Sequence, residues 1–170
     1  MHEILKSYFG FIGCDFTYSQ DSRLFENYWY LTNVIENGID HPPVISATGL
    51  SFDLESSMMT AQGCLNMMAT VTFENDTDFS VSNFQYCLCW CNDAIADAYD
   101  GLYFGFFSGT EFDDSTINNF TYTISESDDV RTLIINSISG TQAIYSNYAV
   151  DNRSQYSGFQ YFSQSRLGLY

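Results

Sequence analysis

From Gln62 to Cys91 the chain carries a turn-like Gly63-Cys64-Leu65-Asn66, two apolar strand patterns around an acidic turn, and then Cys87-Leu88-Cys89-Trp90-Cys91. Four of the five cysteines and both halves of one hairpin lie here, so the flanking segments are expected to fold onto this stretch. In the first half Met67, Ala69, Val71 and Phe73 alternate with Met68, Thr70 and Thr72, which predicts a strand over 66–73 with the former set buried. Glu74-Asn75-Asp76-Thr77-Asp78 reads as the turn. In the second half the parity changes: Phe79, Val81 and Asn83 share one face, whereas Phe84, Tyr86, Leu88 and Trp90 fall on the other. Keeping both sets inside requires a bulge or break near Ser82-Asn83.

Most of the remaining chain reads as further strands. Residues 28–35 alternate with Trp29, Leu31 and Asn33 on one face and Tyr28, Tyr30, Thr32 and Val34 on the other. Asn37-Gly38 supplies a positive-φ turn, and His41-Pro42-Pro43 stops regular pairing beyond it. Leu50, Phe52 and Leu54 point inward from the next strand, and Met58–Gln62 leads into Gly63-Cys64. Segments 119–124, 131–136 and 142–146 are joined by hairpin-sized linkers, which predicts an antiparallel meander. One helix is expected after Asn92, with Asn92 as its cap, Asp93 in its first turn, and Ile95, Ala98, Tyr99 and Leu102 at i, i+3, i+4, i+7 spacing. Tyr103–Phe107 fits either a continued helix or a strand.

The sum is a mainly β (α+β) domain over residues 24–150 with one or two short helices. Residues 1–19 read as a degenerate leader or an N-terminal tail, because Lys6 precedes the apolar run 7–14 while Glu3 and Asp15 flank it with the wrong charge. Residues 151–170 read as a tail or an irregular edge. Lys+Arg 5 against Asp+Glu 21 gives a net charge of −16, which repels phosphate backbones and anionic headgroups and excludes nucleic acid as a partner. No stretch approaches the ~18–20 apolar residues of a membrane-spanning helix. A chain with 18% aromatic and only 15% charged residues, poor in Lys and rich in Asn, Ser, Thr and Tyr, suits an extracellular or periplasmic protein.

The cysteines carry the most chemical freedom. The hairpin folds Cys64 back towards Cys87, Cys89 and Cys91, so a disulfide from Cys64 to one of the three leads over free thiols and over zinc, whose knuckles use wider ligand gaps. Neighbours on one strand face lie about 7 Å apart, which strains a direct Cys87–Cys89 or Cys89–Cys91 bond. A cysteine nucleophile needs a base, and the histidines, His2 and His41, stand in no suggestive setting. Asp113-Asp114 and Asp128-Asp129 fall in loops, and Asp76-Thr77-Asp78 lacks the glycine and distal glutamate of a calcium loop. Asn75, Asn119 and Asn152 head glycosylation acceptors that operate only in a eukaryotic secretory host. No catalytic, cofactor or metal residue is assigned, and the chain reads as a non-enzymatic monomer without a cofactor.

Several short motifs also fall in a familiar order: Trp29-x-Leu31, Asn37-Gly38, Leu50-x-Phe52, Gly63-Cys64-x-Asn66, the strand ending at Phe73, Cys91 ahead of a helix, Asn119-Phe120-x-Tyr122-x-Ile124, Leu133-x-Ile135 and Gly140-x-Gln142-Ala143-Ile144-Tyr145. Over about residues 24–148 this order resembles the META (HslJ-like) domain family, in its divergent version from secreted proteins of Bacteroidetes-type bacteria. The resemblance implies a compact antiparallel barrel-like β domain, outside the cell or in the periplasm or envelope, with no established enzymatic activity. It makes Trp29, Leu31, Gly63, Asn66, Phe120, Tyr122, Gln142 and Tyr145 structural motif residues, and it selects Cys91 as the partner of Cys64. Cys87 and Cys89 depart from the family's single cysteine. The function implied is a structural or interaction module with an unknown protein or small-molecule partner. The alternative is lipocalin-like binding of an apolar small molecule in the barrel, lined by Tyr99, Tyr103, Phe104, Phe106 and Phe107, although core filling is the simpler reading of those rings.

Overall fold

A computed structural model describes residues 20–87, 90–109 and 116–149. Nine strands, β1 (Trp29–Glu36), β2 (Ile39–His41), β3 (Gly49–Asp53), β4 (Met58–Gln62), β5 (Asn66–Phe73), β6 (Asp78–Tyr86), β7 (Asn118–Ser127), β8 (Val130–Ser137) and β9 (Gln142–Ser146), pair in the order β2-β1-β3-β4-β5-β6-β7-β8-β9. All pairs are antiparallel, and β1 also pairs with β9. The sheet therefore closes into an eight-stranded barrel with β2 as an outer extension. Closure is possible because β1 divides one edge between two partners: Trp29 and Tyr30 face β3, whereas Val34–Glu36 face β2.

Local chemistry sets the turns. Asn37 (φ 53°) and Gly38 (φ 77°) both adopt the left-handed conformation that a two-residue hairpin between twisted strands demands. At the β5–β6 turn the Asn75 Oδ1 accepts the N–H groups of Thr77 and Asp78, both at 2.9 Å, so the side chain replaces a missing strand partner. The three closing strands form the expected meander, with registers running from Phe120↔Ser137 and from Asn136↔Gln142.

Two bulges reconcile the alternation with one core. Between β5 and β6 the register passes from Met68↔Gln85 to Thr70↔Ser82; Asn83 (φ 54°) takes the extra place, and Phe84 returns to the interior, as the parity change requires. A second bulge, between Leu31 and Asn33 against β9, overturns the sequence expectation for Val34. Val34 is fully buried, as Trp29 and Leu31 are, instead of lying on the opposite face with Tyr30. The Thr32 hydroxyl donates to the Ile144 carbonyl at 2.9 Å and satisfies the ladder where the bulge interrupts it.

Other corrections follow from where strands stop. Leu54, expected inward, lies past the end of β3 and is 52% exposed. Trp90, expected inside, is 92% exposed because β6 ends at Tyr86 before alternation can carry it inward. Met58–Gln62 is a full strand, β4, with Met59 and Ala61 buried, rather than a lead-in.

Two helices close the mouths. α1 (Arg23–Glu26) inserts Leu24 at the end where β1 begins, and the buried Trp29 indole N–H donates to the Leu24 carbonyl at 3.0 Å. α2 (Ala94–Ser108) joins β6 to β7 and takes in Tyr103–Phe107, which the sequence left open between helix and strand. Its cap is Asp93, not Asn92: the Asp93 Oδ1 accepts from Ile95 N at 2.9 Å and Ala96 N at 3.2 Å. The buried face is Ala96, Tyr99, Asp100, Tyr103, Phe104, Phe106 and Phe107, while Ile95 and Ala98, expected inward, face solvent. Four aromatic rings in the last two turns bury more apolar area than Ile95 could, so they set the rotation of the helix. Among the described residues no helix is long and apolar enough to cross a membrane. The readings of 1–19, 151–170, Leu88 and Cys89 lie outside the described residues.

Candidate functional site

α2 meets strands on opposite sides of the barrel. Tyr99 O–H donates to the His41 carbonyl of β2 at 2.8 Å, Tyr103 O–H donates to the Gly49 carbonyl of β3 at 2.9 Å, and Phe106 and Phe107 lie 5.4 and 5.6 Å from the Phe120 ring of β7. A helix with these partners fills the mouth instead of lying along the outer wall. Tyr103 and Tyr145 are both fully buried, with Tyr145 O–H donating to Tyr103 Oη at 3.4 Å. Burial pushes both phenols far above their ordinary range, which favours their neutral, hydrogen-bond-donating form.

The N-terminal half of α2 is tied twice to the β4–β5 turn. Cys91 forms a disulfide with Cys64 across 5.7 Å between Cα atoms, well within the range such bonds need. Asp100, buried on the helix, accepts the N–H of Leu65 at 2.6 Å and of Cys64 at 3.2 Å. Burial raises the Asp100 pKa above the usual carboxylate value; the two N–H groups oppose that shift, and the nearby charge of Asp97 adds to it. Gly63 leaves the room: a Cβ there would fall on the Asp100 carboxylate. Since Gly63 is absent from the positive-φ positions, the demand is for space and not for an unusual backbone.

Of the cysteines singled out from sequence, Cys64 and Cys91 are joined, and Cys87, just beyond β6, is itself disulfide-bonded, its N–H donating to the Asn66 carbonyl at 2.9 Å. The structural motif residues do not converge on a site. Trp29, Leu31, Phe120, Tyr122 and Tyr145 are spread through the core; Gly63 belongs to the clamp; Asn66 opens β5; and Gln142 opens β9, its Nε2 donating to Asn136 Oδ1 at 2.7 Å. Among the described residues no three of His, Cys, Asp and Glu are placed to share a metal ion. Asp100 escaped the sequence reading, although a signal was present: it occupies the stripe 96-100-103-107, where a carboxylate breaks an otherwise apolar face.

Outside the plug, α2, the start of β7 and the β8–β9 turn enclose an open groove of about 980 Å³. Leu102, Phe106 and Phe120 contribute apolar surface to it, Ile117 and Ile138 are 64% and 81% exposed, and Gly101 and Gly105 belong to its helical wall. Glu36 is the charged residue of its lining.

Fold and site together define a closed antiparallel β-barrel whose mouth is filled by a disulfide-clamped helix, with an apolar groove beside it. No family model matches the sequence, and no curated protein or solved structure matches it either.

Proposed function

We propose that this chain is a non-enzymatic structural or interaction module of META-like fold, working outside the cell or in the envelope of a bacterium. The observation that carries the reading is the filled interior: Tyr103, Phe107 and Tyr145 are fully buried where a barrel-type binding protein keeps its cavity. What remains for recognition is the outer surface. A disulfide persists in oxidising compartments, which supports the placement. Binding of an apolar small molecule inside the barrel would require those same side chains to leave, at the cost of the Tyr103–Gly49 hydrogen bond and the ring contacts around it.

Native mass spectrometry of the oxidised protein, purified without denaturant, tests the reading. The bare mass of the chain is the expected result. A reproducible co-purifying small mass would overturn it in favour of the small-molecule binder.

A further inference from the structure

We propose that the groove beside α2 docks a basic amphipathic helix from a partner protein. The inference rests on the module reading above and names the surface and the chemistry of its partner. Ile117 and Ile138 stand more than half exposed beside a floor that includes Phe106 and Phe120, so apolar side chains form both the rim and the floor of the groove. A space of about 980 Å³ takes a row of side chains rather than a single ring.

Gly101 and Gly105 add a second observation about the same wall. Both sit inside a 15-residue helix, where glycine weakens the helix relative to alanine, and a Cβ on either would meet nothing. The barrel's own packing therefore does not require them. Their bare backbone lets a second helix approach α2 more closely than side chains would allow.

Charge selects the occupant. Among the described residues the arginine side chains are Arg23 and Arg131, and both are committed to Asp21, Glu26 and Glu126 around α1. Arg131 lies near the start of β8 and Ile138 just past its end, roughly 23 Å away at strand rise. Among the described residues, the groove's lining carries the charge of Glu36 and no basic side chain, and Asp97 stands one helical turn before Gly101. A second copy of a chain with net charge −16 is repelled, as are phosphate-bearing partners. A helix with an apolar i, i+3, i+4, i+7 row flanked by Lys and Arg satisfies both the groove and its rim.

Fluorescence anisotropy with a labelled Leu/Lys amphipathic peptide of roughly 18 residues, about 27 Å long as a helix, tests the proposal on the whole oxidised protein, with the Leu/Glu counterpart as control. The Lys peptide should bind saturably and the Glu peptide should not. Gly105→Leu, which fills the groove, and Ile138→Ser, which removes its rim, should each weaken binding by about tenfold or more. Thermal melts of Gly105→Leu should be unchanged or higher, so that loss of binding is not loss of fold. Equal binding by wild type and both variants would reduce the effect to diffuse attraction by an acidic surface and overturn the groove, as would absence of binding to wild type. Binding of an apolar dye such as anilinonaphthalene sulfonate without the Lys peptide would overturn it in favour of a small apolar ligand. None of these outcomes alters the native mass result, so failure of the groove and failure of the module reading are separable.

Discussion

Gly63 and Asp100 compete for one volume: the Cα of Gly63 leaves just the space that the Asp100 carboxylate fills, and Leu65 and Cys64 hold that carboxylate by their N–H groups. Gly63→Ala should therefore force the clamp apart and destabilise the protein by about 1–3 kcal/mol. In an Asp100→Ala background the same change should cost far less, since the atoms a new Cβ would strike are those of the carboxylate. Urea unfolding of the four proteins in a double-mutant cycle measures the coupling. Equal costs in both backgrounds would show that Gly63 is needed for another reason.

The Cys64–Cys91 bond closes a loop with a sequence separation of 27. Chain entropy assigns such a loop about 3–4 kcal/mol of stabilisation, so reduction or Cys64→Ser should lower Tm by something on the order of 10 °C. Non-reducing peptide mapping should recover the peptides of Cys64 and Cys91 joined. Calorimetry of the Cys64→Ser/Cys91→Ser double variant beside the oxidised wild type separates this bond from that of Cys87, which reductant would also break, and an unchanged Tm would refute the stabilisation.

Asp100 also makes a prediction about pH. Its folded pKa is raised above the unfolded value, so the native state binds the extra proton and its contribution is fully present below about pH 3.8. That contribution is lost as pH rises through the folded pKa. Asp21 behaves in the opposite sense: the hydrogen bond from Arg23 lowers its pKa, so its contribution is present above about pH 3.8 and lost on acidification. The stability difference between wild type and Asp100→Asn should accordingly shrink from pH 4 to pH 7. Denaturant melts across that range supply the slope, and a difference that grows with pH would mean that the two N–H groups outweigh burial.

At the centre of the barrel Tyr103→Phe should cost about 1–3 kcal/mol, because it removes the buried hydrogen bond to the Gly49 carbonyl and takes the acceptor from the Tyr145 hydroxyl. Tyr145→Phe removes only a 3.4 Å donor and should cost about 1 kcal/mol or less. Chemical unfolding of the two variants orders them; a reversed order would place the stronger bond at Tyr145.

What the sequence determined by itself was whatever a period of two can express within one strand or one hairpin. The alternation of Met67, Ala69 and Val71, the parity change that demands a bulge at Ser82-Asn83, and the short linkers of the closing meander are local signals, and the structure carries each of them. A sequence pattern has no access to an event set by distant partners. Val34 turns inward because β1 bulges against β9, more than a hundred residues away, and Leu54 and Trp90 are exposed because their strands end where pairing ends. Ile95 yields the inner face of α2 to Tyr99, Tyr103 and Phe107 because burial area, summed over the mouth of a closed barrel, outweighs helical spacing counted from the wrong residue. Asp100 could be seen as a carboxylate on an apolar stripe, but only closure brings the Gly63 turn against it and makes a buried carboxyl group an anchor.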